Sequence, residues 1–151
     1  MTADYEFCVD WLLEKGHIKN TDRIATIGFC WGGWVTFQLS SKQATKYPLK
    51  AGTACHPSPM VEQIFGRDLN AYLGKIDCPQ FMASAGNDHE VVKPGGEVEK
   101  VLQKKGLECE IMLFESMAHG WVLRGDLENE EVKKTVKEAL EGLAKFLNKN
   151  L

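Results

Sequence analysis

Apolar positions recur along the chain with two spacings, one typical of amphipathic helices and one typical of short buried strands. Residues 3–15, for example, place Tyr5, Cys8, Leu12 and other apolar side chains on one helix face. The pattern predicts helices over 3–15, 32–46, 94–105 and 129–148, and one short helix within 60–75. Pro94 suits the first turn of its helix, and Gly106 suits the residue after the end.

Four short apolar runs between these helices predict β-strands. They cover residues 23–28, 49–54, 79–84 and 108–114. Strands that alternate with helices pair in parallel and are joined by right-handed crossovers. The 151 residues contain no linker-like or repetitive stretch, so they predict one α/β domain. We expect a mainly parallel sheet of about four strands flanked by helices.

The composition argues against a nucleic-acid or membrane partner. The formal net charge is −3 and the lysines are scattered, so no basic face is available for a polyanion. No apolar run approaches the roughly 18 residues that span a bilayer, and the acidic N-terminus is unlike a signal peptide. The five cysteines include no C-x-x-C pair, which predicts reduced thiols and a cytoplasmic location.

Three residues of catalytic type directly follow predicted strands. Cys30 lies just after the first strand, Asp88 in the loop after the third and His119 in the loop after the fourth. Since the carboxyl ends of parallel strands lie along one edge of a sheet, we expect these side chains to meet there. A thiol, a carboxylate and an imidazole in this order suggest nucleophilic catalysis.

The segment around Cys30 has the G-x-S-x-G pattern of a nucleophile elbow, with cysteine in place of serine. Gly28 and Gly32 avoid side-chain clashes in such a strained strand-to-helix turn. The N-terminus of the following helix favours thiolate, and the backbone N–H of Trp31 would donate to an oxyanion. The alternative is a tight turn that merely buries a cysteine.

Three motifs resemble the dienelactone hydrolase family, from about residue 22 to the C-terminus. The segment 27–33 (IGFCWGG) is similar to the family's elbow, 86–88 (GND) to its acid loop and 118–121 (AHGW) to the loop that carries its histidine. The resemblance implies an α/β-hydrolase fold and a triad of Cys30, Asp88 and His119. It also implies hydrolysis of enol-lactones or activated carboxylic esters through a thioester, with no cofactor or metal.

Asp88 would hold the His119 imidazole in one tautomer and stabilise its protonated form. A lone aspartate in a loop is more often a turn or cap residue, and His119 alone could be structural, so these roles depend on the three residues occurring together. The neighbouring His89 is expected to be a surface histidine, because the triad order requires the base to follow the acid.

The residues that would bind the substrate carry a weaker sequence signal. His56 lies in a loop after the second strand, Cys55-His56-Pro57-Ser58-Pro59, which either forms a pocket wall or is purely structural. No second Cys-His pair completes a tetrahedral metal site. The resemblance implies that Arg124 helps to bind an anionic substrate, with an exposed surface charge as the alternative. Trp121 is either a pocket wall or plain core.

The family's catalytic core normally begins upstream of the first predicted helix, and its N-terminal strands, with their oxyanion donor, find no match in this sequence. Strand 23–28 is therefore expected at the sheet edge, with unpaired backbone groups. We predict self-association through this edge or the adjoining apolar surface, as in a homodimer. Three functions stay open: an active cysteine hydrolase, an inactive or truncated hydrolase-like domain used for binding or assembly, and a flavodoxin-like domain with a redox-sensing thiol.

Overall fold

The computed structural model describes residues 2–151, which form a parallel sheet of four strands. The strands are β1 (Ala25–Phe29), β2 (Ala51–Cys55), β3 (Gln80–Ala85) and β4 (Cys109–Phe114). Their order across the sheet is β1-β2-β3-β4, so each strand pairs with the next one along the chain. The predicted α/β class is confirmed, and each strand lies within two residues of its predicted position.

Helices connect the strands and cover the sheet. They are α1 (Thr2–Glu14), α2 (Trp31–Leu39), α3 (Val61–Ile64), α4 (Leu69–Leu73), α5 (Glu97–Lys104), α6 (Trp121–Arg124) and α7 (Glu130–Asn150), and a 3₁₀ turn covers Glu90–Val92. Across residues 2–151, no helix combines the length and the apolar character needed to cross a membrane.

The central strand β3 is buried at every position because both faces of the sheet are covered. Phe81 and Ala83 pack on one face with Phe146 of α7, whereas Met82 packs on the other face with residues of α2, α4 and α5. Successive strand residues point to opposite faces, so a strand that is covered on both sides needs apolar residues at nearly all positions. This explains why the sequence of β3 shows a mainly apolar run instead of alternating apolar and polar residues.

The predicted end of the helix over 32–46 is wrong, because α2 stops at Leu39. The hydroxyl of Ser40 donates to the carbonyl oxygen of Thr36 at 2.7 Å, and the side-chain amide of Gln80 donates to Ser40 Oγ at 2.9 Å. These bonds fix the end of α2 beside β3. The bond between Gln80 and Ser40 joins residues forty positions apart, which a local pattern does not reveal.

Two other segments differ from the prediction. The helix expected from Pro94 begins at Glu97, because Gly95 before it adopts a φ of +78°, outside the helical range. The segment 60–75 contains two short helices, α3 and α4, instead of one. The short helix α6 after His119 is an addition to the predicted elements.

Strand β1 lies at one edge of the sheet, as predicted, with β2 as its hydrogen-bonded neighbour. Ile27 in the middle of β1 is 52% exposed. Helix α1 is held by a hydrogen bond from the hydroxyl of Tyr5 to the carbonyl oxygen of Tyr47 at 2.8 Å, and it exposes Phe7 and Trp11. Self-association through this surface stays a prediction.

Candidate active site

Cys30 occupies the sharp turn between β1 and α2. Its φ of +54° and ψ of −117° are rare for a residue with a side chain, so the turn is strained. The backbone N–H of Trp31, the first residue of α2, is near enough to help lower the pKa of the Cys30 thiol. A Cβ on Gly28 would lie 2.2 Å from the carbonyl oxygen of Gly32, so this close approach of strand and helix requires glycine. The backbone has the geometry expected of a nucleophile elbow.

The loop after β2 is fastened to this elbow. The N–H of Cys30 donates to the carbonyl oxygen of Cys55, and the N–H of Ser58 donates to the carbonyl oxygen of Cys30, both at 3.1 Å. Pro57 packs against Gly33, where an added Cβ would lie 2.5 Å from the Cβ of Pro57. The loop thereby holds Ser58 Oγ at 3.8 Å from Cys30 Sγ.

Asp88 and His119 form a hydrogen-bonded pair between two neighbouring loops. Oδ1 of Asp88 lies 2.6 Å from Nδ1 of His119, while Oδ2 accepts from the N–H of Ala85 at 2.7 Å. The Asn87 side chain accepts from the backbone N–H of His119 at 2.6 Å. Since Nδ1 is bonded to the carboxylate, Nε2 is left to interact with Cys30. The structure therefore joins Asp88 and His119 by a hydrogen bond and brings His119 near enough to Cys30 to influence its pKa.

These contacts favour thiolate and imidazolium. The hydrogen bond with His119 is the largest effect on the pKa of Cys30 and lowers it, helped by Ser58 and the N–H of Trp31 against partial burial. Burial is the largest effect on His119 and opposes its protonation, but the hydrogen bonds to Cys30 and Asp88 outweigh it and raise the pKa. The two ionised side chains stabilise each other.

The other cysteines lie in different surroundings. Burial raises the pKa of Cys55 and that of Cys109 to about 12, and it raises the pKa of Cys78. Cys8 is exposed on α1. Because the thiolate is the reactive form, Cys30 is the thiol best suited to act as a nucleophile.

Comparison with known proteins shows the family of the chain. The model of the "Dienelactone hydrolase family" matches residues 1–151. The chain belongs to the dienelactone hydrolase family. It is 31% identical over 147 residues to a carboxymethylenebutenolidase homolog of Xenopus tropicalis, and 25% identical over 144 residues to the hydrolase tropI of Talaromyces stipitatus. The alignments cover 92% and 95% of this chain but 52% and 51% of those proteins, so the chain spans about half the length of the curated relatives it matches.

Solved structures share the fold of this dienelactone hydrolase family member. An α/β-hydrolase enzyme from a deep-sea metagenome library superposes with a TM-score of 0.66 at 20% identity, over 98% of this chain and 63% of its own. A thermophilic esterase of Thermogutta terrifontis superposes with a TM-score of 0.62 at 16% identity, over 96% and 64%. At these identities the likeness shows the fold alone, and the fold is that of an α/β hydrolase.

His56 lies behind His119, away from solvent. It is 1% exposed, and its ring centroid is 4.9 Å from that of His119 and 5.4 Å from that of Trp121, with both rings edge-on. Burial, followed by the positive charge of His119, lowers the pKa of His56 to about 4, so its ring is neutral at pH 7. Within residues 2–151, neither ring nitrogen has a hydrogen-bond partner. The fold places His56 against the catalytic-type histidine, and its contact with a substrate stays a prediction.

A cavity of about 600 Å³ opens beside the thiol. Cys30, Trp31 and Ser58 form its floor, and apolar side chains at and next to α3, including Val61 and Ile64, form its wall. We name it the Cys30 cavity. Its lining suits an apolar part of a ligand, held next to the sulfur.

A second cavity, of about 510 Å³, lies on the other side of the site and is named the His119 cavity. Its lining includes His119, Trp121 and Arg124. Gly120 has a φ of +93°, and a Cβ there would lie 2.2 Å from the guanidinium of Arg124, so the arginine folds back over the histidine loop. Arg124 and Trp121 therefore reach the site, and their role in substrate binding stays a prediction.

His89 lies apart from these groups. It is exposed, as predicted, and its Nδ1 accepts from the N–H of Val91 at 3.3 Å at the start of the 3₁₀ turn. Among residues 2–151, no group of three or more His, Cys, Asp or Glu side chains is arranged to hold a metal ion. His56 and His119 lie together at the strand ends, whereas His89 is exposed.

Sequence reasoning missed the parts played by Ser58 and Asn87. Both residues lie in loops at strand ends, which is the signal that identified Cys30, Asp88 and His119. Serine and asparagine are common in loops, so their type carried no further information. Their contacts depend on the conformations of the loops, which the structure supplies.

Proposed function

We propose that this chain hydrolyses enol-lactones or other activated carboxylic esters, with Cys30, His119 and Asp88 as its catalytic triad. The observation that carries the proposal is the strained elbow at Cys30, whose pKa is lowered by the His119 imidazole that Asp88 holds at 2.6 Å. Membership of the dienelactone hydrolase family supports the same class of reaction.

The first half of the proposed reaction forms a thioester. The Cys30 thiolate attacks the carbonyl carbon and forms a C–S bond, while the carbonyl π electrons move onto oxygen. The N–H of Trp31 donates to this oxyanion. The intermediate then expels the alkoxide or enolate as its C–O bond breaks, and imidazolium His119 gives the Nε2 proton to the leaving oxygen.

The second half releases the acid. Neutral His119 takes a proton from water, and the water oxygen attacks the thioester carbonyl. The C–S bond breaks, so that the carboxylic acid leaves and the thiolate–imidazolium pair is restored. Throughout, Asp88 keeps the proton of His119 on Nδ1 and leaves Nε2 for the transfers.

The leaving group decides which substrates suit this site. In the tetrahedral intermediate the sulfur competes with the leaving group for expulsion, and thiolate is itself easily expelled. A substrate therefore needs a stable leaving group, such as the enolate of an enol-lactone, and an amide is disfavoured. Arg124 is proposed to bind a carboxylate of such a substrate from the His119 cavity, whose lining also includes Trp121. The ring of His56 contacts the rings of both His119 and Trp121.

The test is hydrolysis of an enol-lactone and of 4-nitrophenyl acetate by the 151-residue chain. Turnover should fall at least about a thousandfold in Cys30→Ala. Cys8→Ala, which removes an exposed thiol on α1, should keep full activity. Equal background rates from the wild type and Cys30→Ala would refute the proposal and favour a binding or assembly role.

A further inference from the structure

We infer that Ser58 is a further catalytic residue, whose hydroxyl donates a hydrogen bond to the Cys30 thiolate and sets its reactivity. The inference rests on the proposed role of Cys30. Ser58 Oγ lies 3.8 Å from Cys30 Sγ, a separation suited to a hydrogen bond with the large sulfur atom, and both residues line the Cys30 cavity.

The loop that carries Ser58 is built to hold the hydroxyl in this place. His56 turns the chain with a φ of +42°, and its N–H donates to the carbonyl oxygen of Ala83 at 2.6 Å. Beyond His56 the loop contacts the elbow. The N–H of Ser58 donates to the carbonyl oxygen of Cys30 at 3.1 Å, and Pro57 packs against Gly33. Within residues 2–151, Cys30 and His56 are the non-glycine residues with a positive φ. Both strained positions therefore lie at or next to the contact between Cys30 and Ser58.

The hydroxyl favours one charge state of the sulfur. When His119 takes the thiol proton, the sulfur becomes a strong acceptor and the O–H of Ser58 can point at it. In the thioester the same electron pair forms the C–S bond, so the sulfur accepts only weakly. Ser58 therefore stabilises the resting thiolate more than the acylated form. It raises the fraction of thiolate at low pH and makes each thiolate less nucleophilic.

Among residues 2–151, the titratable groups that face Cys30 lie on the side of His119. His119 faces it from the loop after β4, with Asp88 and His56 behind the imidazole and Arg124 in the His119 cavity. Within residues 2–151, the lining of the Cys30 cavity contains no Asp, Glu, Lys, Arg or His. Changing Ser58 thus removes a polar contact without altering a charge.

The experiment measures alkylation of Cys30 by iodoacetamide between pH 5 and 10, with the labelled Cys30 peptide quantified by mass spectrometry. In Ser58→Ala the midpoint of the rate profile should move up by about one pH unit, as expected for loss of a hydrogen bond to a charged group. Below both midpoints the rate should fall about threefold, because a more basic thiolate is more nucleophilic and this partly offsets its smaller population. Above both midpoints Ser58→Ala should react about threefold faster, so the two profiles cross.

Two comparisons sharpen the result. Ser58→Thr keeps the hydroxyl and should follow the wild-type profile, and labelling of exposed Cys8 in the same samples should be the same in all variants. If Ser58→Ala is poorly folded by circular dichroism, Ser58→Gly removes the same hydroxyl and keeps the N–H that bonds to Cys30.

An unchanged midpoint in the folded variant would overturn the inference, as would a uniform change in rate at every pH, which would indicate altered access to the thiol. Iodoacetamide reports on the thiolate without any ester. A failure of this test therefore leaves the hydrolysis test intact, and absence of hydrolysis does not affect the labelling profile.

Discussion

The carboxyl ends of the strands and the outer edge of β1 are constructed in opposite ways. At the strand ends, both oxygens of Asp88 are hydrogen-bonded. The N–H of Cys30 is bonded to Cys55 at the end of β2, and its carbonyl oxygen to Ser58 in the following loop. At the edge, β1 pairs on one side with β2, and Ile27 is half exposed. The first region is fixed before a ligand arrives, whereas the second is open to another chain.

The two regions differ because catalysis and association with another chain require different structures. A site that stabilises developing charge gains most from groups that are already in position. An edge strand instead offers a row of backbone donors and acceptors that any suitable strand can pair with. Changes at the strand ends should therefore affect chemistry and stability strongly, and changes at the edge should affect association.

The largest effect is expected from Asp88→Asn. An amide that donates to Nδ1 would hold His119 in the wrong tautomer, so kcat/KM for ester hydrolysis should fall about a thousandfold, or about 4 kcal/mol. Asp22→Asn, an exposed position, should leave kcat/KM unchanged. A loss of less than about tenfold in kcat/KM for Asp88→Asn would mean that catalysis at the strand ends does not depend on this carboxylate.

The next effect concerns pH and His56. Its folded-state pKa of about 4 lies below the ordinary value of 6.5, so the unfolded chain gains a proton that the folded chain resists as the pH falls. The stability it contributes is present above pH 6.5 and lost towards pH 4, by about 3 kcal/mol in total. Urea unfolding at pH 7.5 and 4.5 should show this loss in the wild type and much less of it in His56→Phe.

Two comparisons isolate that contribution. The pKa of His119 is raised, so its contribution to the free energy of unfolding is present at low pH and decreases as the pH rises. This dependence is opposite to that of His56, and it is present in the wild type and in His56→Phe. His17→Gln, at an exposed position, should keep the wild-type pH dependence. Parallel curves for the wild type and His56→Phe would show that the buried ring does not resist protonation.

A third effect tests the steric limit at the elbow. Gly28→Ala puts a Cβ against the backbone of Gly32 and should lower the free energy of unfolding by about 2–3 kcal/mol. The clash expected at Gly32 is wrong, because among residues 2–151 an added Cβ there meets nothing within 4 Å. Gly32→Ala should therefore change stability by less than about 1 kcal/mol. Equal losses in the two variants would show that the turn can relax.

The smallest effect on stability is expected at the open edge. Ile27→Lys should change the free energy of unfolding by less than about 0.5 kcal/mol, because the side chain is half exposed, and it should weaken self-association. Light scattering at micromolar concentration measures the mass of each variant, with Leu140→Lys on α7 as the matched exposed control. A wild type that is monomeric throughout would contradict the predicted self-association.

The features that the sequence predicts well are those that depend on nearby residues. The periodicities located β1 to β4, and the glycines at 28 and 32 identified the turn at Cys30. The order of Cys30, Asp88 and His119 along the chain then placed them at one edge, because parallel strands align their carboxyl ends.

The features that it does not predict depend on contacts between distant residues. The end of α2 is set by a bond between Ser40 and Gln80, forty positions apart. The hydroxyl of Ser58 lies near the thiol in a loop where His56 adopts a positive φ, and the residue pattern of the loop did not reveal that conformation. The same turn buries the ring that looked available to a substrate.

The strand order β1-β2-β3-β4 also has a consequence for how the domain is made. Each strand after β1 pairs with the strand before it in the chain, so these four strands can pair in the order in which they are synthesised. Phe81, however, lies on an apolar face that α7 covers through Phe146, so this face stays open until the last helix is made. A nascent chain that pauses before residue 130 would expose this face, and it is there that a chaperone would be needed.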